Sequence, residues 1–174
     1  MEQTLFDGKI LIEPIINKKV HGIAIHAKKF RYGLKIKNID DQISPDFVIS
    51  NVTLESANNQ NIVAVESKTY FVPRLNTNEE KFFDIGEHGS FMHGLVKIGA
   101  DLSPIDKEKT IACFQRKPFT NSFIFAQANS WIDFFYIKSS QEIMHEKIEG
   151  RLKWLTIIIL LFISIQILFK IYIP

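Results

Sequence analysis

The chain has 174 residues, with 21 lysines and arginines against 19 aspartates and glutamates and a formal charge of +2. That length holds one ordinary domain and an appendage, the small charge gives no basic field for nucleic acid, and 46% apolar residues exclude a disordered chain. The lone cysteine, Cys113, excludes an intrachain disulfide framework and any zinc site built on several thiolates.

The first 138 residues are predicted to form strands. Lys9 to Ile16 gives the first, interrupted at Pro14, which suits an edge position. Val20 to Ala27 gives a second, bent at Gly22. The clearest strand is Phe30 to Asn38, in which Phe30, Tyr32, Leu34 and Ile36 alternate with Arg31, Gly33, Lys35 and Lys37. After a turn at Asp40, Asp41, Ser44 and Pro45 come Phe47 to Leu54, Ile62 to Val65, Tyr70 to Val72, Lys81 to Ile85 and Leu95 to Leu102. Ile111 to Phe114, Ser122 to Ala126 and Trp131 to Ile137 complete the series. Short strands divided by turns, with no helical period before Ser139, predict an antiparallel sandwich or barrel and disfavour a βαβ sheet.

Residues 114–137 hold eight aromatic side chains in 24 positions. Core packing plus a hairpin accounts for that density. The alternative is a partly exposed aromatic surface, with Phe119, Phe123, Phe125, Trp131, Phe134, Phe135 and Tyr136 as the candidate interaction residues.

Two segments resemble Ig-like domains of the CARDB type. Phe30-Arg-Tyr-Gly-Leu-Lys-Ile-Lys-Asn38 resembles their second strand, which ends at an Asn before a polar turn. Phe71-Val-Pro-Arg-Leu-Asn-Thr-Asn-Glu79 resembles a later apolar run entering a turn, with Asn78 where a Gly is usual. The resemblance spans residues 28–102 and implies an Ig-like fold, not a function.

Ser139-Ser-Gln-Glu142 fits a capping box, and Met144, Ile148, Leu152 and Leu155 then recur along one helical stripe. Glu149 and Lys153 are spaced for an i,i+4 pair, and Gly150 is the weak point of a single helix running into the bilayer. From Leu155 to Phe169 no residue is charged, and only Thr156, Ser164 and Gln166 are polar. About 20 residues at 1.5 Å each give roughly 30 Å, the thickness of a hydrocarbon core. Trp154 and Tyr172 suit the two interfaces, Lys170 can snorkel to headgroups, and Ser164 and Gln166 can contact a neighbouring helix.

Lys138, Lys147, Arg151 and Lys153 precede the span and only Lys170 lies near its far end, so the N-terminal domain is expected in the cytoplasm. Glu2 and Asp7 stand where a signal peptide is basic, which predicts a tail-anchored protein inserted after translation. With that topology the sequon Asn51-Val-Thr53 is a chance match.

The candidate chemistry is sparse. Five histidines, His21, His26, His88, His93 and His145, accompany Asp84, Glu87 and Cys113, and only the His88/His93 region has the look of a ligand loop. A blue-copper site fails because no His follows Cys113 until His145. No phosphate-binding loop, nucleophile elbow or zinc-protease pair occurs. The alternating cations Lys28, Lys29, Arg31, Lys35 and Lys37 read as a solvated face before an anionic-lipid contact.

The expected fold is mainly β: an antiparallel Ig-like β-sandwich (1–138), a juxtamembrane helix (139–153) and a transmembrane helix continuous with it (154–173). The expected role is a non-enzymatic interaction domain with no cofactor and no nucleic acid, held at a lipid bilayer with a membrane-protein partner or a second copy. Two alternatives stand beside it: a lipid or small-molecule binding domain with a cavity in its aromatic interior, and a metal-dependent or hydrolytic enzyme using His88 and His93.

Overall fold

The computed structural model describes residues 6–57, 62–89, 93–117, 120 and 122–172, with side chains throughout except at 62–63 and 169–172. It divides into two compact units, Met1–Lys138 and Ser139–Pro174.

Among the described residues the first unit holds twelve strands: β1 (Gly8–Ile16), β2 (Lys19–Val20), β3 (Ile23–Ile25), β4 (Lys29–Asn38), β5 (Phe47–Ser56), β6 (Ile62–Glu66), β7 (Tyr70–Val72), β8 (Glu80–Gly89), β9 (Gly94–Pro104), β10 (Ile111–Arg116), β11 (Phe123–Ala128) and β12 (Ser130–Lys138). They form two six-stranded sheets, β11-β10-β1-β4-β8 with β2 beside β1, and β3-β12-β9-β5-β6 with β7 beside β5. The two sheets enclose one apolar core as a β-sandwich. Its pairings are antiparallel except two, β1 with β10 and β3 with β12.

The N-terminal strands show how local chemistry sets this topology. Asn17 and Lys18, at φ 50° and 67°, make the two-residue turn between β1 and β2, and left-handed dihedrals at both positions match the twist of a hairpin. The predicted strand Val20 to Ala27 is broken at His21 and Gly22, and its halves join different sheets. A Cβ on Gly22 would lie 2.2 Å from the Ile16 carbonyl oxygen, so the crossing requires glycine there.

Pro14 also behaves differently from the expectation. It lies inside a sheet, opposite Leu34 of β4, and not on an edge strand. It is tolerated because the other flank of β1 pairs with β10 only through Leu11 and with β2 only from Ile15, leaving Pro14 between the two ladders.

The core lies between the sheets. Ile10, Ile12, Leu34, Ile36, Phe47, Ile49, Ile98 and Trp131 are 0% exposed. Rings meet across the interface, Phe30 of β4 with Phe135 of β12 at 5.7 Å and Tyr70 of β7 with Phe83 of β8 at 6.2 Å. Asn38, where the clearest strand ends, is fully buried and pins the following loop. Its amide donates to the Gln42 and Leu75 carbonyls at 2.7 and 2.9 Å, and its carbonyl accepts from the Asp40 amide at 2.9 Å. Asn78 adopts φ 64°, a left-handed conformation that asparagine tolerates.

The second unit is one helix, α1 (Ser140–Tyr172). Its capping box is formed: the Glu142 amide donates to Ser139 Oγ at 3.1 Å, and the Ser139 amide donates to the Glu142 carboxylate at 2.7 Å. Glu149 faces His145 at 3.8 Å.

Candidate interaction surface

Strand β12 separates the aromatic segment by strict alternation. Trp131, Asp133, Phe135 and Ile137 point into the sandwich, whereas Ile132, Phe134 and Tyr136 are exposed. Trp131 and Phe135, counted in sequence among the interaction candidates, are therefore core residues, because a period of two cannot place them beside Phe134 and Tyr136. The register extends the outer row onto neighbouring strands. Tyr136 lies opposite Leu95 and Ile23, Phe134 opposite Lys97 and Ile132 opposite Gly99. Ile23, Leu95, Ile132, Phe134 and Tyr136 thus share one apolar outer face, crossed by the Lys97–Glu55 ion pair at 2.6 Å.

Phe123 and Phe125 are exposed as well but belong to β11, in the other sheet. Phe125 packs on Phe6 at 5.6 Å and Phe114 at 5.8 Å, and the Arg116 guanidinium lies 5.7 Å from the Phe123 ring. Phe119 lies outside the described residues. The candidate aromatics therefore fall into a core pair, a sheet-face row and an edge cluster.

The buried carboxylate behind the outer row is Asp133, 8% exposed and missed in sequence. Its Oδ1 accepts from the Phe134 amide at 2.7 Å, while its Oδ2 lies 3.7 Å from His21 Nε2, too long for a hydrogen bond. Burial pushes its pKa up to about 6, the Phe134 amide and His21 oppose the rise, and the charge of Glu13 adds to it. Glu13, 2% exposed, is held by Arg116 at 2.6 Å and Lys35 at 3.8 Å.

The cations of β4 are matched by acids. Lys29 meets Glu87, Arg31 meets Asp84, and Lys35 and Lys37 meet Glu80, all within 3.5 Å. Lys35 and Lys37 share one acid, so the ladder is largely rather than wholly neutralised, which favours a solvated face over an anionic-lipid contact.

The histidines have separate ring partners. His88 packs on Phe30 at 5.8 Å and burial lowers its pKa, while His93 packs on His26 at 5.7 Å. Among the described residues no group of three or more His, Cys, Asp or Glu is placed to hold a metal ion. Cys113 is fully buried, and burial pushes its thiol up to about 12.

Clefts open on the sandwich among the described residues, one of them about 480 Å³ at Asn51, Asp101 and Asn129. A polar one of about 520 Å³ is lined by Asp7, Lys9, Asp40, Arg74 and Lys109 among others. A more apolar one of about 290 Å³ lies along Ile15, Tyr32, Phe82 and Phe83, with Lys18, Arg31 and Asp84 also lining it. The aromatic interior itself is filled by Trp131, Phe47, Phe30 and Phe135.

On α1 every residue from Met144 to Leu168 is exposed, Trp154 included. Thr156 Oγ1 donates to the Leu152 carbonyl at 2.9 Å and Ser164 Oγ to the Leu160 carbonyl at 2.8 Å, so both hydroxyls are satisfied within the helix. The side chains of Lys170 and Tyr172 lie outside the described residues.

No protein-family model and no curated protein matches this chain. Similar solved structures include the CARDB domain of the PF1109 protein from Pyrococcus furiosus, crystallised in complex with di-metal ions. It has a TM-score of 0.39 and 15% identity over 79% of this chain and 95% of that one. The solution NMR structure of the same domain has a TM-score of 0.38 and 16% identity over 75% of this chain and 94% of that one.

Proposed function

We propose that this chain is a single-pass, tail-anchored membrane protein whose cytoplasmic β-sandwich is a non-enzymatic binding module, a subunit or adaptor of a membrane complex. The observation that carries the reading is α1. Over Ser140–Leu168 it is long and apolar enough to cross a bilayer, and none of its apolar stretch is buried in the protein. Supporting the orientation are the basic residues that precede the span, Lys147, Arg151 and Lys153. Supporting the binding role is the exposed row Ile23, Leu95, Ile132, Phe134 and Tyr136, an apolar face of the kind monomeric proteins seldom leave to water. Its rigid aromatic side chains are typical interface anchors.

Membrane flotation of the full chain, followed by protease treatment of sealed vesicles, tests the proposal. The protein should float, resist carbonate extraction and lose its sandwich to protease added on the cytoplasmic side. Recovery in the soluble fraction, or a protected sandwich, would overturn the anchoring or the orientation.

A second reading rests on the cleft of about 290 Å³ lined by Ile15, Tyr32, Phe82 and Phe83 together with Lys18, Arg31 and Asp84, a mix that fits a small amphipathic ligand with an anionic group. Titration with a fluorescent fatty-acid probe tests it. Saturable binding that Phe83→Ala abolishes would support a ligand site, and unsaturable binding would remove it.

A further inference from the structure

Inside a bilayer a polar side chain finds no water, so each donor and acceptor needs a protein partner. Of the polar side chains in the apolar stretch, Thr156 and Ser164 bond back to carbonyls of their own helix. Gln166 makes no hydrogen bond among the described residues. Its carboxamide carries two donors and an acceptor, which in a bilayer would face hydrocarbon without a partner on its own helix.

A second observation places Gln166 on a seam. In the polar first part of α1, Met144, Ile148 and Leu152 are exposed apolar residues among His, Glu, Lys and Arg. Continued at steps of three and four, that stripe runs through Leu155, Ile159 and Phe162 to Gln166. Ile148 and Gln166 are eighteen residues apart, about five turns of 3.6, so they share one face even in a straight helix. Gly150 falls on the opposite side, where a Cβ would meet nothing within 4 Å.

We propose that α1 pairs in parallel with α1 of a second copy along Ile148, Leu152, Leu155, Ile159, Phe162 and Gln166, each Gln166 donating an amide hydrogen to the carbonyl of the other. The inference rests on the membrane-anchor reading of α1. A second copy is the fitting occupant for two reasons. Copies inserted with the same topology bring Gln166 to the same depth, and a carboxamide is its own hydrogen-bond complement. A two-fold axis along the seam therefore satisfies both residues at once. A different partner would need its own polar group at that depth. The same contact covers Met144, Ile148 and Leu152 outside the hydrocarbon, where burial from water adds a driving force.

The test uses the full chain in phosphatidylcholine vesicles, with cysteines introduced singly at Ile148, Leu152, Lys147 and Gly150. Native Cys113 stays, since it is fully buried. Ile148→Cys and Leu152→Cys should cross-link to a homodimer at least about fivefold more than Lys147→Cys and Gly150→Cys. Gln166→Leu in the Leu152→Cys background should weaken association about tenfold, and Gln166→Asn should retain most of it. All variants should float with the vesicles. Floating protein that cross-links equally on every face, or is unchanged by Gln166→Leu, overturns the dimer and leaves the anchor standing. Protein that does not float overturns the anchor itself and the dimer with it.

Discussion

Isoleucine lives two lives in this chain. In the sandwich Ile10, Ile12, Ile36, Ile49 and Ile98 are 0% exposed, whereas Ile157, Ile158 and Ile159 of α1 are each about half exposed. The side chain is the same and the fold treats it oppositely. The sandwich closes its apolar faces against each other, so its stability is internal. The helix satisfies its backbone within itself and leaves its side chains to be solvated by something else.

The difference can be broken or sharpened by experiment, beginning with the largest effect. Trp131→Ala empties the largest fully buried site of the sandwich and should lower its unfolding free energy by about 4 kcal/mol, read by denaturant unfolding. Helix content in detergent should not change. Gly22→Ala drives a Cβ into the Ile16 carbonyl at the crossing between the sheets and should cost about 3 kcal/mol.

Asp133→Asn gives a smaller, pH-dependent effect of opposite sign. The native carboxyl, held up at about 6 by burial, keeps its proton where the unfolded one has lost it. Stability therefore falls as pH rises through the window from about 4 to 6, and the ionised group is a burden above it. The asparagine variant should gain about 2 kcal/mol at pH 8 and nothing at pH 3.5, measured by urea unfolding at both. A gain at both pH values would mean that packing, not charge, is responsible. The smallest effect belongs to the helix. Gly150→Ala, with open space around its Cβ, should stabilise α1 by at most about 1 kcal/mol and leave sandwich unfolding untouched.

Much of the architecture was readable residue by residue. Alternation through Phe30–Asn38 marked β4, and the Ser139/Glu142 box marked the start of α1. Pairing between distant strands was not. The parallel contact of β1 with β10 joins residues about a hundred positions apart, and nothing local in either strand announces it. The split at Gly22 was visible as a bend, but sending the halves to different sheets depends on a carbonyl of β1.

The candidate interaction surface was obscured for a clearer reason. In Trp131-Ile-Asp-Phe-Phe-Tyr-Ile137 the one charged residue, Asp133, faces inward and the outward row is apolar. Binary patterning assumes the reverse, so core and surface aromatics could not be sorted by polarity.

Cys113 carries a last consequence. With no solvent access and an acidity pushed to about 12, it presents no thiolate to oxidants, metals or maleimides while the sandwich is folded. Its presence is equally compatible with reducing and oxidising surroundings, so the proposed orientation draws no support from this cysteine. For labelling chemistry the native chain is silent, and each cysteine added to it reports on its own position.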